Sequence, residues 1–486
     1  METSRYIQED NTSFKISQLF LVLGLGGIGI SLLYNSIPVF ILITLIPLFC
    51  VGGILLLRYP WLILFVIFTT NYFILGITRY IPIEGISVIM EILYMIALVL
   101  IFIQAALFQN IEWRRAFNIL SIALCIWMGY CILEIINPTS SLEGWILSRG
   151  LIFNGLIIVI ITSLLCTRYS ILKAIIFCLS IFTLFAIIKT LMQKFIGFDS
   201  FETKWLNAGG ATTHIIWSGI RYFSFFTDAS NMGANMGAAI MFFGIASLYM
   251  RSALCKIYYS CIVILALYAL FLSGTRGAII VPLAGLALYT LISKQTKMVI
   301  GGASMLLFIY IFFAFTTIGQ SNSSIRRIRT AFNPTKDASY IVRKENQKKL
   351  ATYLKYKPFG EGLGLSGDGL GVKISTRFTT SIPTDSWYVK IWVETGIVGL
   401  ILYLSMIFFT IGWGGWIIAT QIKDLELKGL LSGLLCGIFG MFINAYANSF
   451  WGQFPTMIIA FMGLTFVLNG PYFDKEIRIK KINCFK

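Results

Sequence analysis

Two kinds of side-chain chemistry stand out in this chain: guanidinium groups able to grip an anion, and carboxylates able to take a proton. Arg221 lies in Ile220-Arg221-Tyr222-Phe223-Ser224-Phe225-Phe226-Thr227-Asp228, just before a stretch holding Gly233, Gly237 and Ala238. A guanidinium there can hold a phosphate through two parallel hydrogen bonds. The plainer reading is snorkelling to an interface, or a pair with Asp228. Arg276 lies in Leu272-Ser273-Gly274-Thr275-Arg276-Gly277-Ala278, a tight turn into a helix. Its glycines let backbone approach a ligand, and the N–H groups of a helix start favour an anion; alternatively it is a plain hairpin turn.

Asp385 and Glu394 are the carboxylates in Asp385-Ser386-Trp387-Tyr388 and Glu394-Thr395-Gly396-Ile397-Val398-Gly399. Either could accept a proton from a sugar hydroxyl, and either could simply cap a helix, Glu394 at the helix entry it heads. Arg343 opens a polar helical stretch, Arg343 to Lys349, expected to lie over a membrane surface. Arg326, Arg327 and Arg329 read as a solvated charged face. Lys357-Pro358-Phe359-Gly360-Glu361-Gly362-Leu363-Gly364 evokes a nucleotide loop only superficially, since no strand precedes it. His214, the single histidine, rules out a multi-histidine metal site and reads as structural. The pairs Gly233/Gly237 and Gly396/Gly399 suit close helix packing.

The elements that must position these residues are membrane helices. The chain has 486 residues, of which 57% are hydrophobic and 12% charged, against roughly 25% charged in soluble domains. Continuous apolar runs recur that can each cross about 30 Å of hydrocarbon. This predicts an all-α polytopic membrane protein, not a barrel. About fourteen spans are expected at one run per crossing, centred near Gly26, Pro47, Val66, Ile96, Cys125, Leu156, Leu179, Ala239, Ile264, Leu283, Leu307, Ile407, Leu435 and Met462. The first run continues into a second span, so no cleavable signal is read.

Positive charge sets the orientation. With the N-terminus inside, the short inner loops hold Arg58, Arg114, Arg115, Arg168, Lys173, Arg251, Lys256, Lys294, Lys297, Lys423 and Lys428. The basic tail is inside too. Short outer loops hold little beyond Arg79, Arg149 and Arg276. Segments 193–230 and 319–385 then face outward, and the latter carries 12 Lys/Arg against 5 Asp/Glu. Four regions are expected: N-terminal helices 1–192, helices with an outer loop and the arginine sites 193–318, a large periplasmic loop 319–385, and C-terminal helices with a basic cytoplasmic tail 386–486. The formal charge of +17 divides between inner loops lying on anionic membrane lipids and a basic outer surface suited to a phosphate-bearing lipid or an anionic glycan. Nucleic acid is excluded as a partner on that face. The nine cysteines fall in spans or inside, so a structural disulfide is not expected.

In order, these landmarks resemble the O-antigen ligase/polymerase superfamily, the Wzy and WaaL type of bacterial envelope proteins. The resemblance covers roughly residues 200–470, through the outer arginine, Ser-Gly-Thr-Arg-Gly-Ala, the loop with Arg343, Lys-Pro-Phe-Gly-Glu-Gly-Leu-Gly, and Asp-Ser-Trp-Tyr followed by Glu-Thr-Gly-Ile-Val-Gly. It implies a glycosyltransferase-C-like fold in the bacterial inner membrane. It also implies an undecaprenyl-pyrophosphate-linked glycan as donor, and no metal or nucleotide cofactor. By the same resemblance Arg221, Arg276 and Arg343 would hold the pyrophosphate, and Asp385 or Glu394 would act on the acceptor hydroxyl. Ligases commonly begin the Asp385 motif with histidine, so the reading favours a polymerase of lipid-linked repeat units, which leaves room for a chain-length regulator. The alternatives are a ligase acting on lipid A core or protein, and a lipid-linked oligosaccharide flippase.

Overall fold

The computed structural model describes residues 51–81, 85–216, 219–293, 296–321, 338–369 and 371–484, together with Gly26, Arg326 and Arg329. Spans expected around Gly26 and Pro47 lie almost wholly outside the described residues, as do Arg327 and Lys294. The chain divides into two compact units. The smaller comprises Met1–Ile63 and Val99–Asn110, within which Gln104 Nε2 donates to Leu57 O at 2.6 Å. The larger comprises Leu64–Leu98 and Ile111–Lys486 and carries every candidate residue.

Helix dominates, as composition requires; the strand content among the described residues is one antiparallel pair, Ile215–Ile216 with Gly219–Ile220. Among the described residues, seven helices are long and apolar enough to cross a membrane, or up to 9 if two bent pairs each count as one span. The remaining expected centres in the described residues fall on these bent pairs or on shorter apolar helices around Leu156, Leu283 and Leu307.

The helices that position the candidate residues and the loops around them are α1 (Tyr169–Phe195), α2 (Ala229–Tyr249), α3 (Ala253–Leu272), α4 (Trp387–Thr420), α5 (Leu425–Asn444), α6 (Thr456–Leu468) and α7 (Gly470–Cys484). Helices α2 and α5 are largely enclosed by protein, while α3 mostly faces outward. Close approach explains the central pair. A Cβ on Gly437 would lie 2.3 Å from the Phe242 ring, and one on Gly433 would lie 2.6 Å from Phe242 O. Gly233 and Gly237 meet Ser273, Ala278 and Val281 in the same way. Without a hydrophobic driving force between helices in lipid, such contact between backbones is what holds them.

Helix α4 is broken. It starts at Trp387, not at the expected entry near Glu394, and Gly396 interrupts it with φ 66° and ψ −172°. Gly396 is therefore a break rather than a packing glycine, while Gly399 sits against Tyr130. The break frees the carbonyls of Val393 and Glu394, which must find donors elsewhere. The glycine-rich loop supplies them: Glu361 N–H donates to Val393 O at 2.8 Å and Gly362 N–H to Glu394 O at 3.1 Å. In return Val398 N–H donates to Pro358 O at 3.3 Å. A Cβ on Gly396 would lie 2.0 Å from Pro358 O, and one on Gly360 2.5 Å from Gly396 N. The glycine loop, rejected above as a nucleotide loop, is a backbone splice.

Two further expectations change. The helix around Arg343 begins earlier, spanning Ala338–Leu354, and packs Leu350 and Leu354 against Ile382, Val389 and Val393. Arg329 is not solvated: it is buried beside Phe312 and donates to Ile318 O at 2.7 Å, whereas Arg326 is exposed. Gly396→Ala combines a left-handed φ with a collision against backbone, so it should cost more than about 2 kcal/mol. The check is thermal unfolding of the purified variant in detergent; an unshifted midpoint would mean that the splice does not hold the broken helix.

Candidate functional site

Several loops converge at one end of these helices on a cavity of about 1150 Å³. Arg221, Arg343, Asp385 and Glu394 all line it. Arg276 does not; it stands next to Thr275, the residue that binds Arg221, and its charge reaches Arg221.

Arg221 leaves a two-strand turn whose partner strand follows His214. Its guanidinium donates to Thr213 O at 3.0 Å, Ser230 Oγ at 3.2 Å and Thr275 Oγ1 at 2.9 Å, and its buried Nε has no partner among the described residues. Every one of these acceptors is neutral. Asp228 is instead the N-cap of α2, accepting from Ser230 N at 2.6 Å and Asn231 N at 3.0 Å. Burial lowers the Arg221 pKa, Asp228 opposes this, and Arg276 and Arg343 lower it further. A cation held by neutral groups beside two other cations is a site short of an anion.

His214 is fully committed to structure. Its Nε2 accepts from Ala229 N at 3.3 Å, so Nδ1 carries the proton and donates to Gly210 O at 2.9 Å. Burial lowers its pKa, which keeps this neutral form. Nearby, Arg79 packs against both the Trp205 and Phe223 rings at 4.7 and 4.4 Å and donates to Ser224 O at 2.7 Å. Burial brings its pKa down to about 10. This buried arginine, read from the sequence only as a loop charge, fixes the 193–230 segment on which Arg221 rides.

Asp385 adopts φ 52°, a left-handed conformation uncommon for a non-glycine residue and concentrated at functional sites. It does not cap α4, whose N-cap is Ser386. The turn is pinned from below: Trp387 N–H donates to Ala445 O at 3.0 Å, Trp387 Nε1 to the Tyr403 hydroxyl at 3.3 Å, and the Tyr388 hydroxyl to Phe442 O. Arg343 Nε approaches Asp385 Oδ2 at 3.9 Å while its Nη1 donates to Ala447 O at 2.8 Å. Burial raises the Asp385 pKa, Arg343 opposes this, and Asp368 adds to it.

Glu394 is buried, yet lines the cavity. Ser366 Oγ donates to its Oε1 at 2.6 Å, Lys390 Nζ stands 3.9 Å from that oxygen, and Oε2 has no partner among the described residues. An acceptor oxygen of this kind suits a ligand hydroxyl. Sequence reasoning missed the rest of the wall, namely Lys390, one turn before Glu394 on α4, Asp368 beyond the glycine loop, and Arg149, which pairs with Glu91 at 2.7 Å; it also missed Ser366, buried behind Glu394. The i,i+4 spacing of Lys390 and Glu394 was the available signal. No spacing foretold Arg149 with Glu91, which meet only through the fold.

The sign of the Asp385 shift gives a prediction. If Asp385 must be ionised to take a proton, activity falls as pH drops through a pKa above the ordinary 3.8. Arg343→Ala removes the group that lowers that pKa, so the acid limb of a pH–rate profile should move to higher pH. An acid limb unmoved in the variant contradicts the pairing.

Residues 261–404 match a family model described as O-antigen ligase. The match contains Arg276, Arg343, Asp385, Glu394 and the glycine loop, and leaves Arg221 before its start. No curated protein matches the chain. The match, over that part of the chain, supports the O-antigen ligase/polymerase superfamily.

Proposed function

We propose that the chain is a glycosyltransferase that polymerises undecaprenyl-pyrophosphate-linked oligosaccharide repeat units at the periplasmic face of the bacterial inner membrane. The observation that carries this reading is that Arg221, Arg343, and the pair Asp385 and Glu394, from three separate segments, line one cavity, with Arg276 beside the Thr275 that binds Arg221. In the proposed step an acceptor hydroxyl oxygen attacks the anomeric carbon of the donor sugar. The carbon–oxygen bond to the pyrophosphate breaks, and its electron pair leaves with the pyrophosphate. Asp385 takes the hydroxyl proton. Arg221, Arg343 and Arg276 stabilise the charge growing on the leaving group. Glu394, held by Ser366, orients the acceptor by accepting a second hydroxyl through Oε2.

About fourteen spans with an outward 319–385 segment, at one apolar run per crossing, remain part of this proposal, as do the four regions 1–192, 193–318, 319–385 and 386–486. A second reading, transfer of finished glycan onto lipid A core or protein, is favoured by the description of the matching family model. Deleting the gene in its host and resolving the glycans on gels separates them. A single repeat unit left on lipid A core means polymerase. Long polymer stranded on the lipid carrier beside bare core means ligase. Unchanged surface glycan contradicts both.

Within this mechanism Asp385→Asn should lower turnover by at least about 10²-fold, and Arg221→Ala by a similar about 10²–10³-fold. Both should leave the protein in the membrane. Glu394→Gln should act chiefly on the acceptor KM. Complementation gels with membrane immunoblots check the first two, and normal glycan from both variants would sink the mechanism.

A further inference from the structure

At the other end of the same helices lies a second cavity, of about 580 Å³. Helix α5 shows the separation: its Asn444 end meets the first cavity through Ala445 and Asn448, and its Leu425 end opens on the second. Its 20 residues span about 30 Å, the hydrocarbon thickness of a bilayer. Helices α2 and α3 run between the same two ends, with Asp228 and Thr275 at one and Met250 and Cys255 at the other.

The second cavity has a charged rim and apolar walls. Lys173 of α1 and Arg251, from the turn between α2 and α3, are tied together by buried Glu426: Lys173 Nζ lies 2.7 Å from Oε1 and Arg251 Nε 3.5 Å from Oε2. Asp424, also buried, takes Arg251 Nη2 at 2.5 Å and Lys481 of α7 at 2.9 Å. Burial works to raise the Asp424 pKa, but Lys481, the Leu427 N–H and Arg251 bring it below its usual value, so it stays ionised. Three cations thus surround two carboxylates. The side chains of Lys173 and Arg251 remain 49% and 60% exposed even so. Behind them the walls are Ile176, Phe177, Met250, Tyr259 and Leu430.

We infer that this cavity is a binding site for an anionic phospholipid of the leaflet opposite the first cavity. Its phosphate would meet the exposed side chains of Lys173 and Arg251, with Ser252 beside it, while an acyl chain lies along Phe177 and Leu430. Positive charge in excess at the mouth of an apolar crevice at a helix end matches one kind of molecule, a lipid with a negative headgroup. A soluble anion would have no use for the walls, and a zwitterionic lipid none for the surplus charge. Lipid binding here is independent of the transfer reaction. Bound there, the lipid would bridge α1 and α3 across Glu426.

Cys255 offers the test, because it lines this cavity with an exposed thiol, and Cys261 on the same helix is exposed but does not line it. The full chain, purified in detergent, is alkylated with N-ethylmaleimide and each cysteine followed by mass spectrometry. Phosphatidylglycerol should slow Cys255 several-fold and leave Cys261 unchanged, and phosphatidylcholine should protect neither. The double variant K173Q/R251Q should lose that protection while keeping the lipid-free Cys255 rate; the wild-type comparison decides alone if the variant does not accumulate. Equal protection by the two lipids would overturn the inference, as would none, or protection by glycerol phosphate alone.

Discussion

The site hangs on the exchange of hydrogen bonds at Gly396. A helix broken inside a membrane protein exposes carbonyls that lipid cannot satisfy, and here Glu361 and Gly362 satisfy them while Pro358 receives Val398 in return. This exchange fastens the segment after residue 338 to α4 and sets Ser366 against Glu394. It also explains the density of glycine: side chains on Gly360 or Gly396 would occupy the space of the partner backbone. Glu361 serves the same joint, buried between Lys357 at 2.6 Å and Arg377 at 3.1 Å. The loop's charged residues hold the joint closed rather than meeting a ligand.

Charge in the first cavity is more balanced than the basic composition suggested. Arg149, Arg221, Arg343, Lys373 and Lys390 face Glu91, Asp228, Asp368, Asp385 and Glu394. What differs is commitment. Asp228 is consumed by the start of α2 and Glu91 by Arg149, whereas Arg221 is held only by neutral acceptors. The local result is an arginine with unspent charge near a carboxylate whose proton affinity burial has raised. That is the pairing that the proposed transfer from a pyrophosphate donor requires.

The sequence made the helices legible because each apolar run must be long enough to cross lipid, and length is written in composition. It also made the candidate residues legible, since charges are rare enough in this chain for each to be noticed. Partnerships were not legible. Asp385 looked like a cap, but the cap is Ser386 and Asp385 takes a left-handed turn fixed by Trp387 and Tyr388 from beneath. Glu394 looked like a helix start because Thr-Gly-Ile-Val-Gly follows it, and local pattern cannot distinguish an entry from a break repaired by a loop some way upstream. Arg79 and Arg149 were visible only as topological charges; burial against Trp205 and Phe223, and the pairing with Glu91, depend on elements that meet only in the folded chain.

On the proposed mechanism one cavity both holds a pyrophosphate leaving group and deprotonates an acceptor hydroxyl. The most direct measurement incubates the purified chain with lipid-linked repeat units and follows free undecaprenyl pyrophosphate and glycan length together. One pyrophosphate should be released for each linkage formed, and Asp385→Asn and Arg221→Ala should each lower both signals by about 10²-fold or more. Linkages formed without pyrophosphate release, or undiminished transfer by both variants, would contradict the mechanism.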